Sequence, residues 1–205
     1  TEAEKLRVHW GKDRLIWIAA STHPGEEELI AEAFSQVQSC LANVLLVSVP
    51  RHVERAAQLE YLYRSQGLEV IKRSQQKPCT STTDVFIGDT MGELLSFYAA
   101  ADLAFVGGSL VEKGGQNPLE PAAVGLAILT GPYTFNFESI TEQLKQRGIE
   151  IQVNNAQELA KQVVFLLSNP AKRQQMGMDA KKFVQENKGV VLKQMQLIEN
   201  FINLS

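Results

Sequence analysis

The sequence has no apolar run that approaches the ~20 residues a membrane-spanning helix needs, and its opening carries no signal-peptide pattern. It holds two cysteines, Cys40 and Cys79. They form neither a C-x-x-C pair nor a zinc spacing, so two reduced thiols are expected and a disulfide framework is excluded. The three histidines, His9, His23 and His52, make no H-E-x-x-H or related pattern, and no metal site is expected. Charge of one sign is also lacking. The formal net charge is −3, which gives no bulk field for a polyanion, so nucleic acid is not an expected partner.

Three familiar phosphate and nucleophile motifs are missing. No G-x-G-x-x-G follows the first apolar run, which argues against a dinucleotide-dependent dehydrogenase. No G-x-x-x-x-G-K-[ST] occurs, which removes the P-loop. No G-x-S-x-G occurs, which removes a hydrolase nucleophile elbow.

What is present is an ordinary globular composition. Hydrophobic residues make up 44% and charged residues 21% of 205, enough for one large buried core or two small ones. The polar opening TEAEKLRVHWGKDR does not start with Met. It reads as a linker or edge segment over 1–13, ahead of a domain over 14–205, and as a sign that the chain is part of something longer.

Apolar β-rich runs then alternate with helical patterns. Strands are predicted over 14–20, 44–49, 68–72, 85–88, 103–106, 127–130 and 150–153. Helices are predicted over 24–41, 52–66, 91–101, 118–124 and 137–146, followed by a helical tail over 156–167, 171–187 and 190–203. Gly67 falls where a helix C-terminus favours glycine, and Gly125 and Gly148 fall similarly. This alternation predicts an α/β fold, a doubly wound and mostly parallel sheet with helices on both faces. Ligands of such sheets sit outside the carboxyl ends of the strands, so the βα loops are where chemistry is expected.

Four of those loops stand out. The first, Ser21-Thr22-His23-Pro24-Gly25-Glu26-Glu27, places His23 at a strand end, with Pro24 at a helix start and glutamates in its first turn. The second, Pro50-Arg51-His52, offers two donors at once, and an arginine there can fork onto a phosphate or remain solvated. The third, Gly88-Asp89-Thr90-Met91-Gly92-Glu93, has capping-box spacing between Thr90 and Glu93, which predicts a helix mouth at Met91 and Gly92. The fourth runs from Gly107 to Pro121 and carries Lys113, Gly115, Gln116, Asn117 and Glu120. Asn117 fits an N-cap, Pro118 the first helical position and Glu120 the third. A capped helix does not by itself account for four glycines and a lysine ahead of it, and glycines let a backbone approach a phosphate.

These stretches, AASTHPGEEELI, VPRHVERA, IGDTMGELLSFYAAADLAFVGGSLVEKGGQNPLEPAA and LTGPYTFNF, together resemble the C-terminal half of the 3-deoxy-D-manno-octulosonic acid (Kdo) transferases, which are GT-B glycosyltransferases. The likeness runs in order from about Ile16 to Phe137. It implies a Rossmann-like domain that holds the sugar nucleotide CMP-Kdo, with Arg51, His52, Asp89, Thr90, Met91, Gly92, Gly115, Asn117 and Glu120 as donor contacts. Ser21, Thr22, His23, Lys113 and Gln116 would face the cleft. Gln116 stands where the family often has histidine, so that position here can donate and accept but carries no charge.

The resemblance further implies that a lipid A precursor acceptor, the membrane attachment at the cytoplasmic face of the bacterial inner membrane and the catalytic base belong to an N-terminal half. None of Glu26, Glu27 and Glu112 is then a candidate base, and no cofactor is implied. Two other readings stay open: another GT-B domain, of a UDP-sugar transferase or epimerase, and a non-catalytic α/β ligand-binding module.

Overall fold

The computed structural model describes residues 1–187; the predicted helix over 190–203 lies outside them. Seven strands form one sheet in the order β3-β4-β2-β1-β5-β6-β7, every neighbouring pair parallel. They are β1 (Leu15–Thr22), β2 (Val44–Pro50), β3 (Val70–Lys72), β4 (Val85–Ile87), β5 (Leu103–Val106), β6 (Ile128–Thr130) and β7 (Glu150–Gln152). The helices are α1 (Glu2–Trp10), α2 (Glu26–Cys40), α3 (Ala56–Ser65), α4 (Leu94–Ala100), α5 (Leu119–Val124), α6 (Glu138–Gln146), α7 (Ala156–Ser168) and α8 (Pro170–Glu186). None of the helices among the described residues is long and apolar enough to cross a membrane.

The two faces of the sheet follow from the period of two along β1. Trp17 and Ala19 join a cluster with Ile30 and Phe34 of α2, Leu59 and Tyr63 of α3, and Leu159 and Val163 of α7. Ile16, Ile18 and Ala20 join a cluster on the other face with Leu6 and Trp10 of α1 and with Phe97 and Tyr98 of α4. A third cluster, with Leu119, Ile128, Leu144, Ala180 and Phe183, packs α5, α6 and α8 beside it. Because both faces are covered, the central strands read as unbroken apolar runs rather than alternating ones. The chain leaves β1 toward β2 and later returns to β1's other side at β5, so the strand order reverses between β1 and β5. That seam is where a crevice forms.

The structure departs from the sequence reading at several element ends. Residues 1–13 are not a bare linker: Thr1 and Glu4 form a capping box, and α1 buries Leu6 and Trp10 against the core. Pro24 does not start a helix, since α2 begins at Glu26 behind Gly25, whose φ is 85°. The run from 52 opens with a 3-10 turn over Val53–Arg55 before α3. Gly67, Gly125 and Gly148 do sit past helix ends with φ of 82°, 85° and 68°.

On the edge strand, Glu150 is 3% exposed, its Oε1 accepts from the Thr130 hydroxyl (2.7 Å), and its Oε2 is buried without a partner. Burial pushes this carboxyl from its ordinary 4.5 up to about 7, against the opposing pull of the Thr130 hydrogen bond and Lys145. The folded chain therefore holds a proton that the unfolded chain releases. This contribution to stability is full below about pH 4.5 and is lost as the pH rises through 7. Glu150→Gln is expected to stabilise the domain by about 2 kcal/mol at pH 8 and to change little near pH 4.5; urea denaturation at the two pH values checks it.

Candidate functional site

The carboxyl ends of β1, β2, β4 and β5 bring the four loops together. At the seam the contact is backbone on backbone. The Gly107 N–H donates to the Ala20 carbonyl (2.8 Å), and a Cβ on Gly107 would lie 2.6 Å from the Ser21 carbonyl oxygen. Ser21 itself takes φ 57°, within an irregularity between Ala20 and Thr22 that turns the chain out of the strand.

The loop from β5 to α5 wraps a protein carboxylate. Glu26 is 0% exposed and accepts the backbone N–H groups of Gly108 (2.7 Å), Ser109 (3.0 Å) and Leu110 (2.9 Å), with a longer bond from the His23 N–H (3.3 Å). Burial pushes the Glu26 carboxyl above its usual range, and the amide donors oppose that rise. The first amides of the glycine-rich loop are thus occupied from within, by a protein carboxylate.

Most of the glycines have a packing reason as well. A Cβ on Gly114 would come within 2.4–2.5 Å of Asn136 and Phe135, and one on Gly115 would come 3.3 Å from the backbone of Tyr133 and Thr134. Both lie against the segment after β6, which is tied back by the Tyr133 N–H to the Ser109 carbonyl (2.9 Å) and the Asn136 N–H to the Gly114 carbonyl (2.9 Å). Ser109, 0% exposed, completes the junction: its hydroxyl donates to the Val106 carbonyl (2.6 Å) and accepts the Gly131 N–H (2.7 Å).

The next glutamate serves the other side. Glu27 accepts from the Arg55 guanidinium (2.6 Å) and from the Thr22 hydroxyl (3.3 Å). Thr22 is 1% exposed, so its side chain belongs to this buried pair and not, as expected, to the cleft.

His23 is at the centre. It is half-buried, its Nε2 lies 3.3 Å from the Gln116 side-chain nitrogen, and its ring meets that of His52 edge-on with centroids 6.2 Å apart. Burial lowers the basicity of His23 first, and the positive charges of His52, Lys113, Arg51 and Arg55 lower it further. Arg51 and Lys113, both exposed, stand on the loops beside His23, on a chain whose net charge is −3. Arg51 is tied to the seam by its N–H on the Thr22 carbonyl (3.0 Å) while its side chain is exposed, and the exposed His52 lies 3.7 Å from Glu54. A local cluster of this sign attracts an anion.

The loop after β4 differs from its predicted form. The Thr90 hydroxyl does donate to the Glu93 carboxylate, but the helix starts only at Leu94, because Glu93 is taken by a forked pair with Arg73 (2.8–3.1 Å). Met91 and Gly92 are thus in an irregular loop, Met91 83% exposed and Gly92 at φ 79° with open space around it. Asp89 is engaged with Ser74, through its N–H (2.8 Å) and hydroxyl (2.5 Å). Arg73, Ser74, Gln76, Thr90 and Glu93 line a cleft of about 430 Å³ beside this loop.

At the fourth loop Asn117 supplies a cap bond as expected, but the helix starts one residue later than predicted. The Asn117 Oδ1 accepts the Leu119 N–H (3.0 Å), and α5 begins at Leu119 after Pro118. Glu120 follows in the first turn, partly exposed and close enough to Tyr98 to help burial raise that phenol's pKa.

Comparison with known proteins sorts these features. A family model described as glycosyl transferases group 1 matches residues 64–183. A solved structure described as the C-terminal CMP-Kdo binding domain of WaaA from Acinetobacter baumannii superposes with a TM-score of 0.84 at 31% identity, covering 90% of this chain and 96% of that one. Curated relatives include the 3-deoxy-D-manno-octulosonic acid transferase of Haemophilus influenzae, 38% identical over 97% of this chain, and that of Bordetella pertussis, 32% identical over 92%. The chain belongs to the Kdo transferase family. The chain spans less than half the length of either relative, 47% and 45%. The all-parallel, doubly wound sheet is thus that of a GT-B Rossmann-like domain of this family.

The sequence reading missed the parts that join the loops of this Kdo transferase domain: Glu26, Glu27, Arg55 and Ser109. The glutamates were visible as acidic residues in a helix's first turn, but their partners lie 82–84 and 28 residues away. No local pattern announces such a pairing.

Proposed function

We propose that this chain is the donor-binding domain of a glycosyltransferase that moves Kdo from CMP-Kdo to a lipid A precursor in lipopolysaccharide synthesis. The observation that carries this reading is the 31% identity and 0.84 TM-score to a domain described as binding CMP-Kdo, matched over 96% of its length. The exposed basic side chains Arg51 and Lys113, on two of the loops at this end of the sheet, support it, because the departing CMP phosphate is where negative charge develops.

In this scheme Arg51, His52 and Lys113 meet the phosphate. Asp89, Thr90, Met91 and Gly92 form the wall on the β4 side, with Asp89 and Thr90 holding the loop's shape and Met91 and Gly92 facing the donor. Gly115 contributes through close packing, since its N–H already serves the Gly108 carbonyl (2.8 Å). The side-chain NH2 of Asn117 and the carboxylate of Glu120 face the ribose and phosphate, where a carboxylate accepts hydroxyl donors. His23 and Gln116 close the floor. The transfer is inverting, with a carboxylate base from the N-terminal half activating the acceptor hydroxyl. The scheme meets the leaving charge with side chains and calls for no cofactor. The acceptor and the attachment to the cytoplasmic face of the bacterial inner membrane belong to that other half.

Calorimetric titration tests the reading. CMP is expected to bind this chain more tightly than UDP, and Arg51→Ala is expected to weaken CMP by about tenfold or more, the loss of a charge-assisted contact. Binding of UDP alone would move the chain to a UDP-sugar enzyme of the same fold.

A further inference from the structure

Two adjacent glutamates at the start of α2 reach opposite sides of the cleft. Successive residues on a helix point about 100° apart, and here Glu26 turns to the β5–α5 loop while Glu27 turns to Arg55 in the turn after β2. Both are buried, at 0% and 1% exposure. The His23 backbone is caught between them. Its carbonyl accepts the N–H groups of Glu26 (3.1 Å) and Glu27 (3.3 Å), and its own N–H donates to the Glu26 carboxylate. We propose that Glu26 and Glu27 are a two-pronged clamp that sets the spacing and orientation of the Gly108–Gln116 and Arg51–His52 loops, acting as positioning residues for the donor site.

Two observations carry this. Buried carboxylates are expensive, and apolar residues of similar volume often serve stability as well or better. A carboxylate that takes three consecutive amides of one loop fixes that loop's backbone rather than filling space. The three elements that the clamp joins are also those that bring the His23 and His52 rings together, with centroids 6.2 Å apart, and set His23 3.3 Å from Gln116. Stability alone does not call for that coincidence; a site that must hold several polar side chains in register around an anion does.

The functional half of the proposal rests on the donor reading, and the test separates the two. In the unmutated chain the amides of Gly108, Ser109 and Leu110 are expected to exchange slowly with solvent and to resonate downfield by NMR. In Glu26→Gln only one oxygen remains to accept, and the new NH2 faces a donor. Those three signals are expected to move upfield and exchange faster, with CMP affinity falling on the order of ten- to hundredfold while unfolding stays cooperative. Glu27→Gln is expected to shift the signals of residues 51–55 and leave 108–110 in place. Fast exchange of the three amides in the unmutated chain overturns the clamp even if Glu26→Gln does not fold. Undiminished CMP affinity in a Glu26→Gln chain whose amides have moved overturns its positioning role. If the unmutated chain binds no CMP, the donor reading falls, and the amide signals alone decide whether the clamp exists.

Discussion

Replacing Arg55 with alanine is expected to destabilise the domain by about 3 kcal/mol, the scale of breaking a buried ion pair by removing one partner. Glu27 has a side chain 2% exposed, and the Arg55 guanidinium 2.6 Å away is its charged partner, with the Thr22 hydroxyl at 3.3 Å its other donor. Removing the guanidinium leaves a desolvated carboxylate that a single hydroxyl cannot compensate. The pair would contribute far less if both members were on the surface, as the Lys182–Glu186 pair shows by contrast. There the side chains are 72% and 43% exposed at 3.9 Å, and Lys182→Ala is expected to shift stability by less than about 0.5 kcal/mol. Urea denaturation of the three chains at pH 7.5 measures both differences. Equal losses for the two alanine variants would mean that Glu27 is hydrated and that the β1–β2 side of the site is not held as described.

Gly131→Ala is expected to cost nearly as much, about 3 kcal/mol, for a steric reason. A Cβ there would lie 2.1 Å from the Ser109 carbonyl oxygen and 2.4 Å from the Leu110 nitrogen. Both are backbone atoms of the loop that Glu26 grips, so no rotamer change relieves the clash. The loop has to move, which breaks the Gly131 N–H bond to the Ser109 hydroxyl and the Tyr133 N–H bond to the Ser109 carbonyl. Gly67→Ala separates this effect from backbone strain. Gly67 has φ 82° and open space around it, so its replacement is expected to cost about 1 kcal/mol, the ordinary penalty for a side chain in the left-handed region. If the two variants lose the same stability, the close approach at Gly131 is not what requires glycine there.

The sheet was largely legible because its strands are buried on both faces. Ile16-Trp17-Ile18-Ala19-Ala20 and Leu103-Ala104-Phe105-Val106 can scarcely be anything but central strands. Their parallel order was an inference from alternation, whereas the return of β5 to the far side of β1 is set by contacts 86 or more residues apart, which no local pattern encodes. Helix ends were legible where one glycine decides them, at Gly67, Gly125 and Gly148. They were misplaced where a tertiary partner competes. Glu93 has the spacing of a capping residue, but Arg73 takes its carboxylate and α4 starts later. The capping box of α1 was readable in Thr1 and Glu4, and the apolar pair Leu6 and Trp10 four residues apart lay behind it; the polar surroundings concealed both.

The site was legible in a different way. The sequence showed which loops matter, but it credited their glycines to an absent ligand. In the structure Gly107 and Gly131 are needed first by the protein, where backbones cross too closely for a Cβ, and Gly114 and Gly115 pack tightly on the Tyr133–Asn136 segment. The amides after β5 are held by Glu26. The donor site proposed above then falls on the rim that this framework positions: Arg51 and Lys113 on two loops, the exposed turn at Met91 and Gly92, and the polar pair Asn117 and Glu120.

That division is most directly tested by mapping CMP onto the chain by NMR. Saturating CMP is expected to shift the signals of His23, Arg51, His52, Met91, Gly92, Asn117 and Glu120 while the amides of Gly108, Ser109 and Leu110 keep their ligand-free protection. Absence of binding, or shifts confined to the opposite end of the sheet around Asp13, Asn43 and Asp84, would contradict a donor site at the carboxyl ends of β1, β2 and β5.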